Sequence, residues 1–191
     1  MIFPVVVYGH PVLRKVAKEI DQDYDKLDQF IQNMFETMYF SEGIGLAAPQ
    51  VGKSIRLFVI DATPLEDEEP ELKDFKKAFI NPKMIERTGD KSAFNEGCLS
   101  IPNIREEVER ESMIRIQYYD ETFRYHDEYY DGTISRIIQH EYDHLRGILF
   151  TDLVSPLRKR LLRGKLLAIS KGKFEASYKT LLPNKKVLFP M

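Results

Sequence analysis

The chain has 191 residues, 43% of them hydrophobic and 30% charged, with a formal net charge of −2. These values describe one globular domain and exclude collagen, a coiled-coil rod and wholesale disorder, and no apolar run approaches the roughly 18 residues of a membrane span. The single cysteine, Cys98, excludes an intramolecular disulfide framework and leaves a buried small hydrophobe, a metal ligand or a nucleophile as readings of that residue.

The opening Met1-Ile2-Phe3-Pro4-Val5-Val6-Val7 is apolar, with no basic stretch before it and no small-residue cleavage site after it, and is expected as a first strand of a soluble intracellular protein. Residues 25–39 have helical spacing, with Leu27, Phe30, Ile31, Met34, Phe35 and Met38 on one face. Asp23 or Asp25 is expected to cap this helix, and Ser41-Glu42-Gly43 to stop it. The small-residue segment Gly43-Ile44-Gly45-Leu46-Ala47-Ala48-Pro49-Gln50 is either a flexible turn or a substrate-facing edge in which Gln50 offers an amide donor to an oxyanion. Residues 55–61 read as a strand and 64–76 as an acidic surface loop with little to bury. Residues 78–86, 112–119 and 123–130 read as further strands, with Asp131-Gly132 as a turn. Helical spacing returns over 133–145, and Gly147 ends that helix. A last helix begins near Pro156, with Leu157, Leu161, Leu162, Leu166 and Leu167 on one side and basic residues on the other. Several strands with segregated helices indicate an α+β fold.

Charge is unevenly placed. Residues 155–191 hold ten Lys or Arg against Glu175 alone, while residues 1–154 hold 18 basic and 29 acidic side chains. A basic end on an acidic body suits a polyanionic neighbour, or is a solvated helix face followed by a frayed end.

The chemistry concentrates in His140-Glu141-Tyr142-Asp143-His144, which takes two of the four histidines. Residues four apart share a helix face, so both imidazoles can reach one metal ion, and Glu141 is displaced around the helix to act as a general base beside it. Two histidines leave an ion one protein ligand short, and Glu96-Gly97-Cys98-Leu99-Ser100 offers a soft anionic thiolate suited to Fe²⁺, Zn²⁺ or Co²⁺. Cys98, His140 and His144 then make a three-ligand set with a fourth position open. A metallopeptidase and a non-catalytic metal-binding module are the competing readings. The thiolate and the lack of a third ligand at zincin spacing count against the first, and the intact Glu141 and Gln50 against the second.

Together these segments resemble the peptide deformylases, whose hallmarks G-x-G-x-A-A-x-Q, E-G-C-x-S and Q-H-E-x-D-H occur here in order as Gly43 to Gln50, Glu96 to Ser100 and Gln139 to His144. The resemblance also takes in Tyr8 to Arg14, Ile101-Pro102 and Leu145 to Phe150, and spans nearly all of residues 5–170. It implies mixed or antiparallel strands around a central motif-bearing helix, with one N-terminal and one C-terminal helix. It implies a catalytic domain over residues 1–170 and a basic C-terminal tail over 171–191. It further implies one divalent metal held by Cys98, His140 and His144, Fe²⁺ in the cell with Zn²⁺, Ni²⁺ or Co²⁺ as substitutes. Glu141 would serve as base and acid, and Gln50 and the Leu99 N–H as oxyanion donors. Gly43, Ile44, Gly45 and Arg105 would contact the peptide, and Glu96 would pair with Arg110. The implied partners are N-formylmethionyl nascent chains and, through the basic C-terminal helix, the ribosome, in the cytoplasm with no membrane association. Thr133 stands where members often place a leucine lining the methionine pocket.

Overall fold

The computed structural model describes residues 1–67 and 69–190. The elements in order are β1 (Val5–Val6), α1 (Leu27–Phe40), β2 (Gly45–Ala47), β3 (Leu57–Asp61), β4 (Lys76–Cys98), β5 (Ile101–Tyr119), β6 (Tyr125–Tyr130), α2 (Gly132–Leu145), α3 (Pro156–Ser170), β7 (Thr180–Leu181) and β8 (Val187–Leu188), with short 3₁₀ turns between them. Strands β2-β3-β4-β5-β6 form an antiparallel sheet in that order, with β2 at one edge. A smaller sheet, β1-β7-β8, joins the two chain ends, β1 pairing in parallel with β7. The α+β class expected from the sequence is the one observed.

Strand β3 shows why the motif helix is central. Leu57-Phe58-Val59-Ile60 is a continuous apolar run and all of it is buried, the mark of a strand covered on both faces. Successive side chains alternate: Leu57 and Val59 pack with Phe30, Met34 and Met38 of α1, and Phe58 and Ile60 with Ile134, Ile138 and Leu145 of α2. Each of these fully buried side chains contributes roughly 1.5–3 kcal/mol. Clamped on its apolar stripe, α2 turns its polar residues toward the long β4–β5 hairpin.

Several local expectations are corrected. Neither Asp23 nor Asp25 caps α1. Lys26 takes that position with φ 55° and no side-chain cap, because a preceding turn already bonds the Leu27 N–H to the Tyr24 carbonyl at 3.2 Å. The acidic segment does bury something: Leu72, in a 3₁₀ turn, is in the core. The separate strands expected at 78–86 and 112–119 are parts of two continuous strands of 23 and 19 residues, bent by register shifts after Ile80, Met84 and Thr88. On α3 the leucines divide. Leu162 and Leu166 are buried with Ile169, whereas Leu157, Leu161 and Leu167 are more than half exposed.

Residues 171–190 double back over the body. Strand β7 lies against β1, Leu182 joins the cluster containing Val6, Ile101 and Leu162, and the Asn103 side chain donates to the Glu175 carbonyl at 2.9 Å. Among the described residues no helix is long and apolar enough to cross a membrane.

Candidate active site

Two elements carry the site. The hairpin β4–β5 reverses over Leu99-Ser100, so Cys98 is the last residue of one strand and pairs with Ile101, the first of the next. Helix α2 presents His140 and His144 one turn apart toward that reversal. The Cys98 Sγ and one nitrogen of each imidazole lie within 4.8 Å of one another, with Cys98 Sγ 3.3 Å from His144 Nε2. Ligands held 2.0–2.3 Å from one ion at tetrahedral angles stand roughly 3.5 Å apart, so this soft N₂S set fits a divalent cation.

The surroundings prepare the donors. His140 Nδ1 is 3.0 Å from Glu96 Oε2, which fixes the proton on Nδ1 and leaves Nε2 as the free donor. Glu96 is itself buried and accepts two bonds from Arg110, at 2.7 and 3.0 Å, and one from Arg136 at 3.2 Å. Arg110 continues to Asp143 at 2.6 Å, and Arg87 reaches the other Asp143 oxygen at 3.2 Å. Burial works to raise the Glu96 carboxyl, but His140 and Arg110 outweigh it and hold it at about 2. Glu96 is therefore an anion under all working conditions.

Glu141 has the opposite setting. It is 4% exposed, and burial is the main influence pushing its carboxyl up to about 7, the range suited to taking and returning a proton. Its Oε2 has no hydrogen-bond partner among the described residues. Its Oε1 faces Gly45, where a Cβ would stand only 2.5 Å away. Gly45 is thus a glycine because a backbone must pass close to the carboxylate, and it has no positive φ to explain it otherwise.

Gln50 sits in the 3₁₀ turn after β2 and is 1% exposed. Its Oε1 accepts the Ala47 N–H at 2.8 Å, so its Nε2 is turned to Cys98 Sγ at 3.4 Å and Ser100 Oγ at 3.3 Å.

All of this opens onto a cleft of about 610 Å³. One wall is Gly43 and Ile44 leading into Gly45 at the start of the edge strand β2, another is Gly97 and Arg105 of the hairpin, and His140, Glu141 and Cys98 form the floor. Arg105 is steadied by the Asn95 carbonyl at 2.7 Å. The expected oxyanion, base and peptide-contact residues therefore line this cleft with Cys98 and His140, His144 stands behind them against Cys98, and the Glu96–Arg110 pair is present. Two features differ from the sequence reading. Thr133 lies outside this cleft, beside a separate 180 Å³ cavity, with its hydroxyl bonded to Glu69, and Arg136 and Ile137 line the cleft on that side instead. The reading also missed Arg136, Asp143 and Arg87 as the braces of Glu96 and Arg110. Asp143 was within the motif itself, but nothing in the spacing of the two arginines signals their convergence.

A thiolate and two helical imidazoles converging on one point, with a buried carboxylate beside them at the end of a peptide-sized cleft, define a metal-dependent hydrolase. The family model for "Polypeptide deformylase" matches residues 2–160. A peptide deformylase of Christiangramia forsetii is 53% identical over 97% of this chain and 98% of its own. One of Flavobacterium psychrophilum is 51% identical over 97% of this chain and all of its own. Among solved structures, a Plasmodium falciparum peptide deformylase in complex with an inhibitor superposes with a TM-score of 0.76 at 38% identity, covering 87% of this chain and 99% of that one. The chain belongs to the polypeptide deformylase family, hydrolases that remove the N-formyl group from peptides.

Proposed function

We propose that this chain deformylates N-formylmethionyl nascent peptides in the cytoplasm, with Cys98, His140 and His144 holding one divalent ion. Fe²⁺ is the cellular ion in this reading, and Zn²⁺, Ni²⁺ or Co²⁺ can replace it, since the donor set accepts all four. The observation that carries it is the convergence of three separate segments at the end of one cleft: the ligand set, the Glu141 carboxylate and the Gln50 amide.

When bound, the ion supplies Lewis acidity beside the scissile carbonyl. The peptide backbone lies along Gly43 and Ile44 and the start of β2 at Gly45, with Arg105 on the opposite wall. Glu141 accepts the proton of the attacking water and returns it to the leaving peptide nitrogen, a role its buried position beside the ligand set suits. Gln50 Nε2–H and the Leu99 N–H donate to the oxygen that gains charge, each worth about 2.7–4 kcal/mol by comparison with other oxyanion holes. Formate and a free amine leave.

Helix α3 adds a second contact in this proposal. Lys159, Arg160, Arg163 and Lys165 are all exposed, a display suited to ribosomal RNA, while Arg158 is taken up by Glu106. Co-sedimentation with ribosomes that weakens steeply with rising salt supports docking, and absence of binding at low salt removes it.

The direct test is formate release from formyl-Met-Ala-Ser by Fe²⁺-loaded protein prepared anaerobically. Glu141→Ala should keep its metal and lose nearly all turnover, and Cys98→Ala should lose metal. Unchanged turnover in the first, or full metal content in the second, removes that residue's role.

A further inference from the structure

The reversal at Leu99-Ser100 lacks the chemistry that usually holds a two-residue hairpin loop. Such loops favour primed turns, with positive φ and Gly, Asn or Asp. Here neither residue is a glycine or has positive φ. Pairing just beside the turn is also broken, since the register jumps from Gly97↔Arg105 to Cys98↔Ile101 and pushes Pro102, Asn103 and Ile104 out of the ladder. The turn is gripped from outside instead. The Tyr8 N–H donates to the Ser100 carbonyl at 2.8 Å, Gln50 donates to Ser100 Oγ, and the Tyr178 hydroxyl donates to the Leu99 carbonyl at 2.8 Å.

Tyr178 stands 79 positions along the chain from Leu99 and is 8% exposed. Its backbone is fixed close by: the Lys179 carbonyl accepts the Val5 N–H at 2.8 Å, and β7 begins at Thr180. Residues 175–178 also line the cleft. We propose that Tyr178 is a positioning residue for deformylation: its hydroxyl fixes the Leu99–Ser100 peptide plane and so, through the Leu99 backbone dihedrals, the adjoining Cys98–Leu99 plane whose Leu99 N–H faces the developing oxyanion, and the segment after α3 thereby belongs to the catalytic apparatus. This rests on the deformylase reading and on Leu99 as an oxyanion donor.

An N–H contributes to an oxyanion hole only if it is already aimed when charge develops. The two peptide planes that meet at Leu99 have little help from strand pairing, so loss of the tyrosine hydroxyl lets the turn rock and turns the Leu99 N–H with it. Because the charge is present mainly in the transition state, turnover should suffer and binding should not.

Tyr178→Phe removes the hydroxyl and keeps the packed ring. Tyr39→Phe serves as the control, deleting a comparable bond to Asp61 at a residue that does not line the cleft and does not touch the Leu99-Ser100 turn. With full-length metal-loaded protein and formyl-Met-Ala-Ser, Tyr178→Phe should lower kcat roughly tenfold with KM within about twofold and metal content unchanged. Tyr39→Phe should leave kcat unchanged. In Zn²⁺-loaded protein, backbone order parameters at Leu99 and Ser100 should fall in Tyr178→Phe alone. A kcat within about twofold of wild type, a loss matched by loss of metal or by Tyr39→Phe, or unaltered order at the turn overturns the proposal. A wild type that releases no formate overturns the deformylase reading beneath it, and is thereby distinguished.

Discussion

Gly45→Ala isolates how closely β2 must pass the catalytic carboxylate. The added Cβ would lie 2.5 Å from Glu141 Oε1, 2.9 Å from Cδ and 3.0 Å from Cγ, where ordinary contact begins at 3.4 Å. The carboxyl group must therefore retreat by about 1 Å, because the repulsion at such distances exceeds any local gain. It can yield only into the cleft that it borders, away from the position it holds beside the ligand set. A misplacement of that size costs on the order of 10²-fold in rate. The expected outcome is a kcat about 100-fold below wild type with metal content intact. The assay is formate release from formyl-Met-Ala-Ser, alongside metal analysis and thermal unfolding. A double-variant cycle sharpens it: in a Glu141→Ala background the carboxylate is gone, so adding Gly45→Ala should cost little more. Gly45→Ala with a kcat within about twofold of wild type, or a full additional loss in the Glu141→Ala background, would refute the argument that this glycine serves the carboxylate.

Gly43→Ala should be mild by contrast, because the one close contact of its Cβ would be Leu99 Cδ1, the mobile end of a side chain, at 2.9 Å, with Met38 Cγ and the Gly45 carbonyl at ordinary distances of 3.4 and 3.5 Å; a loss as large as that of Gly45→Ala contradicts this. Arg110→Leu leaves Glu96 and Asp143 as buried anions without their shared partner and should destabilise by about 3–5 kcal/mol, read from urea unfolding, and weaken metal affinity about 10–100-fold. Chelation should abolish formate release and lower the melting temperature, with both restored on adding back Fe²⁺, because the ion binds only the folded ligand set. Glu128 supplies a pH test: burial works to raise its carboxyl, but the Tyr130 and Tyr118 hydroxyls and Lys77 outweigh this and hold it at about 2. Its contribution is therefore complete above the ordinary carboxylate value of 4.5 and is lost as pH falls from there toward 2. Wild type should lose stability over that window relative to Glu128→Gln, and parallel curves would show that Glu128 contributes nothing.

What the sequence disclosed and what it hid follow one rule. Residues whose chemistry depends on local spacing were legible: His140 and His144 four apart on a helix, Cys98 beside glycine, Leu57 to Ile60 as an unbroken apolar strand. The long hairpin was not legible, and the cause is specific. From Ile104 to Arg110 the burial alternates strictly, buried residue by exposed residue, as a strand with one covered face should. Yet two of the buried positions are Glu106 and Arg110, so hydropathy shows no period of two there. Glu106 is buried because Arg158 of α3 pairs with it, and Arg110 because it joins Glu96 to Asp143. Charge stands where the pattern calls for an apolar side chain, and the strand is hidden by its own ion pairs.

The same charges add direction to the apolar packing that already seats α2 and the hairpin. Buried ion pairs add little net stability, but each fixes direction, and here they run in series from Arg87 through Asp143, Arg110 and Glu96 to His140. One end is a β4 side chain and the other a proposed metal ligand, so the hairpin and helix α2 are oriented against each other by hydrogen bonds with defined angles. Apolar packing would tolerate a small slide between them, and that slide would separate Cys98 on the hairpin from His140 and His144 on the helix. A three-ligand set assembled from two elements needs a directional brace between them, which is what the buried arginines and carboxylates provide.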